Sequence, residues 1–206
     1  MKDSDQPAPD PAPETEVIRL WDPLLRLFHW LLAGLVTASL ITGHLLAIKT
    51  IHFQLGLAIG ALLILRIVWG FVGPEPARFR NFLHGPVSVV RYLLSWPKRE
   101  PSYWRGHSPT GGWATLLLIL LLAAQVLSGM MADPEDYINQ GPLAPLVGID
   151  IARTAGAWHV FLSWFVLGFV LLHVAVIAFY ARWKGENLVL PMILGRKRVK
   201  RADTET

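Results

Sequence analysis

Cysteine is absent from all 206 positions, and charged residues fill only 17% of them. The first absence excludes disulfides, thiolate-held iron–sulfur clusters and the Cys-x-x-Cys-His attachment of haem together. Any redox centre must be held by His, Met or another non-thiol ligand. The scarcity of charge, with 53% hydrophobic residues and a mean hydropathy of +0.42, separates the chain from ordinary soluble domains. A glycine-rich nucleotide fingerprint, a phosphate loop and a nucleophile with an adjacent base are also missing. The sequence pI of about 9.6 does not argue for nucleic acid, because the basic residues flank apolar runs, where they act as topology signals.

What is present is four apolar runs long enough to span a bilayer, predicted at about 24–48, 51–73, 112–132 and 154–181. The expected fold is all-α, an integral membrane four-helix bundle over residues 17–185. Residues 1–16, rich in Pro and acidic groups, read as a disordered tail, and residues 186–206 as a basic tail. The start lacks the basic and then apolar pattern of a secretory signal, so the first helix is expected to remain as an anchor. Arg78, Arg80, Arg91, Lys98, Arg99 and Arg105 lie between the second and third runs, and Arg196, Lys197, Arg198, Lys200 and Arg201 follow the fourth. The connection between the third and fourth runs instead carries Asp133, Glu135, Asp136 and Asp150 against Arg153. The positive-inside rule then puts both termini on the cytoplasmic side of the membrane. An amphipathic stretch at about 82–96 is expected to lie on the inner leaflet.

Histidine inside a bilayer is costly unless paired or ligated, so each one is a functional candidate. His159 and His173 are 14 residues apart in the fourth run, close to four helical turns and roughly 21 Å, and so share one face. Antiparallel connectivity sets His52 level with His159, and His29 level with His173. Two stacked imidazole pairs on facing helices suit two b-type haems, whereas zinc would draw its ligands to one level. His44 lies at the level of His52 and is the alternative to it. Gly56 and Gly60, at i+4 and i+8 from His52, favour His52 by clearing its face for a porphyrin. Arg66, 14 residues after His52, falls near the level of His29 and His173 and could neutralise a haem propionate.

The segments VIRLWDPLLRLFHW, HFQLGLAIGALLILRIVWG, GPVSVVRYLL, RGHSPTGGW and WHVFLSWFVLGFVLLH resemble the bacterial cytochrome b561 family, which is similar to the b-type cytochrome subunits of nickel–iron hydrogenases and formate dehydrogenases. The resemblance covers roughly residues 17–185. It implies a dihaem four-helix fold, haem and iron ligation by His29, His52, His159 and His173, and a ubiquinone-type or menaquinone-type partner. Relatives often have Gly-His-Asn-Pro where this chain has Gly106, His107, Ser108 and Pro109. This turn offers His107 and Ser108 to a quinone carbonyl, with His107 as a proton source, although it would equally serve as an ordinary helix start. The expected function is electron transfer between a quinone pool and a periplasmic redox protein or small redox molecule. The alternatives are a superoxide oxidase that passes electrons to quinone, and a haem-free membrane anchor or transporter.

Overall fold

The computed structural model describes residues 15–99, 104, 106–133 and 138–200. Helix α1, Pro23–Leu40, begins where Asp22 turns its side chain back to accept the Leu25 N–H at 3.0 Å, with Pro23 as first helical residue. It runs into one π-helical turn, Ile41–Leu45, before the chain reverses into α2, Lys49–Val72. The third spanning helix, α5 (Pro109–Met131), repeats the same start, with Ser108 capping Gly111 N–H at 3.2 Å and Pro109 following. Gly148, in the left-handed region at φ 79°, introduces α7, Ile149–Trp183, whose 35 residues reach about 52 Å. All four are long and apolar enough to cross a membrane.

α1 packs along α2, α2 along α5, and α5 along α7. They meet in one aliphatic layer, Val36, Ile59, Leu63, Leu122 and Val166, in which each of the four helices supplies at least one buried residue. Val166 stands midway in sequence between His159 and His173, and Ile59 follows His52 by seven residues, so this layer separates the two histidine levels. Outside it, large apolar side chains such as Leu45, Ile64, Phe71 and Leu171 are exposed, as lipid-facing positions must be.

The stretch 82–96, expected as one helix, is instead interrupted. A short turn, α3 (Phe79–Phe82), is followed by extended residues and then by α4, Pro86–Leu94. Pro86 is the cause, since proline disfavours helix in the residue before it and starts a helix well. Two further connecting helices are α6 (Ala144–Val147) and α8 (Val189–Leu194).

Of the expected disordered N-terminal tail, residues 1–14 lie outside the described residues, as do residues 201–206 of the basic C-terminal tail, and the described parts of the two ends form a ribbon. Strand β1, Thr15–Arg19, pairs antiparallel with β2, Arg196–Lys200, from Thr15↔Lys200 to Arg19↔Arg196. Gly195, at φ 76°, turns the chain so that its carbonyl accepts Leu20 N–H at 2.9 Å and Trp21 N–H at 3.3 Å. Val199 is fully buried, and Lys197 reaches Glu186 at 3.1 Å with both side chains nearly enclosed. A second cluster, Leu20, Trp21, Leu25 and Ala77, joins this ribbon to α1.

The join between α5 and the α3 turn is made at Gly112, where a Cβ would stand 2.2 Å from the Phe82 carbonyl oxygen. Backbone cannot yield as a flexible side chain does, so Gly112→Ala should destabilise the protein by about 1–3 kcal/mol despite alanine's better helix propensity. Thermal unfolding in detergent measures this. Gly111→Ala, which meets only the Ser108 hydroxyl at 3.1 Å, should cost less.

Candidate functional site

The four helices bring the histidines into two pairs. His52 on α2 faces His159 on α7 with ring centroids 5.9 Å apart, and His29 on α1 faces His173 on α7 at 6.3 Å. Two imidazole nitrogens on opposite sides of one metal, each about 2 Å from it, put their ring centres roughly 6 Å apart, so both pairs fit a shared ion. His44, in the π-helical turn, is turned instead onto Trp164 at 4.8 Å. Among the described residues no three potential metal ligands cluster, which is the arrangement a structural zinc site would need.

The surroundings of the first pair fix its tautomer. His52 Nδ1 donates to the Ser39 carbonyl at 2.9 Å, and His159 Nδ1 donates to the Gln125 carbonyl at 2.9 Å. A carbonyl carries no proton, so each Nδ1 is the protonated nitrogen and each Nε2 of the neutral ring holds the lone pair. Gln125 Nε2 lies 3.3 Å from His159 Nε2, as a donor to that lone pair would. The hydroxyls of Ser39 and Ser128 flank the two Nδ1 atoms at 3.3 Å. By contrast, His29 Nδ1 is buried with no partner.

Four residues around this pair were not anticipated from the sequence. Ser39 and Gln125 supply the carbonyls, and Gly43 and Gly129 supply the space. A Cβ on Gly43 would lie 2.9 Å from the His52 ring, and one on Gly129 would lie 2.8 Å from the His159 ring. The i, i+4 spacing of Ser39 with Gly43, and of Gln125 with Gly129, is visible in the sequence, but which histidine each serves depends on helix packing. Gly56 has open space before it, whereas a Cβ on Gly60 would lie 3.1 Å from the Val126 side chain. Only Gly56 therefore leaves room of the kind expected of both.

The other anticipated residues gather beyond His29. Arg66 is buried, its guanidinium over the rings of Phe79 and Phe82 at 4.9 and 5.9 Å, and its Nη1 has no partner. A buried guanidinium with an open Nη1, with Asp22 already a nearby negative charge, fits an anionic group such as a propionate. His107 sits between Trp21 and Phe82, at centroid distances of 4.9 and 4.7 Å, with its Nδ1 shielded and unpartnered. Ser108 caps α5. Close by, the hydroxyls of Tyr92 and Tyr180 pair with each other. Burial, helped by the nearby positive charges of Arg66 and Lys197, pushes the His107 pKa down to about 4. A ring with so low a pKa carries no extra proton near pH 7, which weighs against proton delivery by His107.

With this geometry in view, the family profile for prokaryotic cytochrome b561 matches residues 20–195. The chain belongs to that family. It is similar to the probable Ni/Fe-hydrogenase B-type cytochrome subunit of Rhizobium leguminosarum bv. viciae, with 22% identity over 92% of each chain. It is also similar to the probable Ni/Fe-hydrogenase 1 B-type cytochrome subunit of Escherichia coli K12, with 24% identity over 73% of this chain and 77% of that one. No solved structure matches at a significant level. This cytochrome b561 family member is thus a multi-pass bacterial membrane protein whose cofactor is haem b and whose task is electron transfer in the membrane.

His107 yields a pH dependence whose sign follows from its depressed pKa. The unfolded chain takes up this proton near pH 6.5, and the folded protein only near pH 4. Its contribution is therefore complete above about pH 6.5 and is lost as pH falls toward 4, at most about 3 kcal/mol. The thermal midpoint of the detergent-solubilised protein should drop between pH 7 and 4.5, and less steeply in His107→Phe. Parallel pH profiles for the two proteins would contradict this assignment.

Proposed function

We propose that this cytochrome holds two haems b, one between His52 and His159 and one between His29 and His173, and carries electrons between a redox enzyme on one face and the quinone pool. The observation that supports it most is the pair of facing imidazole couples at ring separations of 5.9 and 6.3 Å, divided by an aliphatic layer. Haem b supplies a one-electron Fe(III)/Fe(II) couple when bound. The chain's part is to hold four imidazoles at two depths, about 21 Å apart along α7, and to keep water out between them. Arg66, whose Nη1 has no hydrogen-bond partner beside Phe79 and Phe82, would hold a propionate at the His29 end.

The basic residues on both termini and on the connection between α2 and α5 favour a cytoplasmic location for the His29 end. The His52 end would then face the periplasm. Since relatives are named as hydrogenase cytochrome subunits, a redox enzyme docking at that end is the partner we favour. Quinone would exchange at the His29 end, where His107 offers an unpartnered ring nitrogen beside the start of α5. Ser108, while capping Gly111, keeps that start in place and sets its hydroxyl next to the same turn.

Spectra of purified variants test the ligand sets. The dithionite-reduced minus oxidised spectrum should show a b-type α band, halved in His29→Ala and in His173→Ala with loss of the same component. His52→Ala and His159→Ala should both lose the other one, and His44→Ala should lose neither. Different components lost within one pair would overturn the assignment. For the quinone site, His107→Phe should slow haem oxidation by added quinone about five- to tenfold at full haem content, since one hydrogen bond to a bound carbonyl is worth about 1–1.5 kcal/mol. Unchanged kinetics would move the site elsewhere.

A further inference from the structure

We infer that the linked hydroxyls of Tyr92, Tyr180 and Ser108 form the route by which protons reach a quinone bound at the start of α5. This rests on the quinone site proposed above and adds a proton path to it. Reduction of one quinone to quinol takes two electrons, delivered one at a time through the cytochrome, and two protons. His107, the ring offered to the quinone, has no extra proton to give near pH 7. The Arg66 guanidinium holds its protons too tightly to lend one. The path therefore needs groups that take up one proton as they pass on another.

Such groups lie against the start of α5. Tyr92 on α4 and Tyr180 near the end of α7 are only 6% and 4% exposed, and their hydroxyls bond to each other. The Ser108 side chain in turn hydrogen-bonds to Tyr180. Ser108 Oγ accepts the Gly111 N–H at 3.2 Å, and its second lone pair is open to the Tyr180 hydroxyl. Its own proton is then available to the turn that carries His107, with Thr110 Oγ1, at 3.4 Å, on the edge of bonding distance. Each hydroxyl both accepts and donates. A proton entering at Tyr92 from the connection between α4 and α5 is thus matched by one leaving Ser108 for a quinone oxygen, and two such passages complete the quinol.

The charges around the chain favour this traffic. Glu186 bonds its backbone N–H to the Tyr180 carbonyl at 3.1 Å, and its carboxylate charge acts on the Tyr180 hydroxyl. Lys197 of β2 reaches Glu186 at 3.1 Å, while Lys184 gives its Nζ to the Lys98 carbonyl at 3.1 Å and stands 6.0 Å from the Tyr180 ring. All three charged side chains are at most 9% exposed. A buried ion pair contributes little stability by itself. Here the carboxylate offsets two ammonium charges that would otherwise repel a proton on its way to Tyr180. Of the nearby imidazoles, His107 is neutral and His84 is engaged with the Phe82 carbonyl at 2.9 Å.

The test follows oxidation of the reduced holoprotein at the α band by two acceptors, a soluble short-chain quinone, which takes protons, and ferricyanide, which takes none. In Tyr180→Phe the quinone reaction should slow about a hundredfold, the low end of what positioned proton transfer contributes. It should also show a larger solvent deuterium effect and a steeper fall as pH rises, with ferricyanide oxidation and haem content unaltered. Glu186→Gln leaves all three hydroxyls in place and should slow the quinone reaction in the same pH direction by a smaller factor. An unchanged quinone rate in either variant, with His107→Phe still slow, would overturn the proton route and leave the quinone site standing. Unchanged rates in all three variants would remove the quinone site, and the route with it. Equal slowing toward both acceptors would reduce the tyrosine pair to a clamp between α4 and α7 and would also overturn the route.

Discussion

A polar atom inside hydrocarbon must have a partner, and this requirement governs how the bundle is built. An imidazole brings two nitrogens to be satisfied. At the His52/His159 end the backbone of neighbouring helices takes one nitrogen of each ring, and the Gln125 side chain stands 3.3 Å from the second nitrogen of His159. Helical carbonyls are normally occupied, so taking an imidazole proton requires either a shared acceptor or a local break in the helix. Gln125 shows the first solution, its carbonyl also receiving the Ser128 hydroxyl at 2.9 Å. Ser39 shows the same solution, its carbonyl also receiving the Thr42 hydroxyl at 3.1 Å. Close approach of ring to backbone then requires glycine on the receiving helix, and both receiving helices have it.

The parts of this arrangement that were readable in the sequence are those set by one helix at a time. Span length follows from runs of apolar residues, and the common face of His159 and His173 follows from helical periodicity. Their opposite numbers followed from alternating chain direction alone. What could not be read depends on the rotation of one helix against another. Gly43 and Gly60 are equally plausible as room for a ring, yet one lies against His52 and the other against Val126. The terminal ribbon was missed for a different reason. Five-residue strands rich in Glu, Arg and Lys carry almost no periodic signal, and their pairing is made by Gly195 and by the burial of Val199, both products of tertiary structure.

The turn before α5 shows how one sequence feature can carry two meanings. Gly-His-Ser-Pro is a capped helix start, and Ser108 and Pro109 perform that role. His107 is not needed for it. Its ring is inserted between Trp21 and Phe82 and so ties the start of α5 to the segments preceding α1 and closing α3. A lowered pKa is the electrostatic consequence of that insertion near Arg66. The same insertion makes His107 a neutral hydrogen-bonding group at the membrane boundary, which is a different chemical tool from the proton donor that its position in a polar turn suggested.

The aliphatic layer between the two histidine pairs determines what kind of charge can cross. A proton in transit needs a continuous chain of hydrogen-bonding groups or water, and Val36, Ile59, Leu63, Leu122 and Val166 provide none. An electron needs no solvated carrier, so a packed apolar layer that stops protons still lets electrons pass between centres held on either side. Transfer between the levels would then move charge along the membrane normal without a compensating ion in the same path. Each electron would cross part of the membrane potential, which is worth about 2.3 kcal/mol per charge for a full crossing at 100 mV. Protons for quinone reduction would have to enter from the His29 side, where the basic connections and the chain termini gather. Separating the two routes requires only that the layer stay dry and the histidines stay at their levels, and α7 supplies both by carrying His159, Val166 and His173 at seven-residue intervals on one continuous helix.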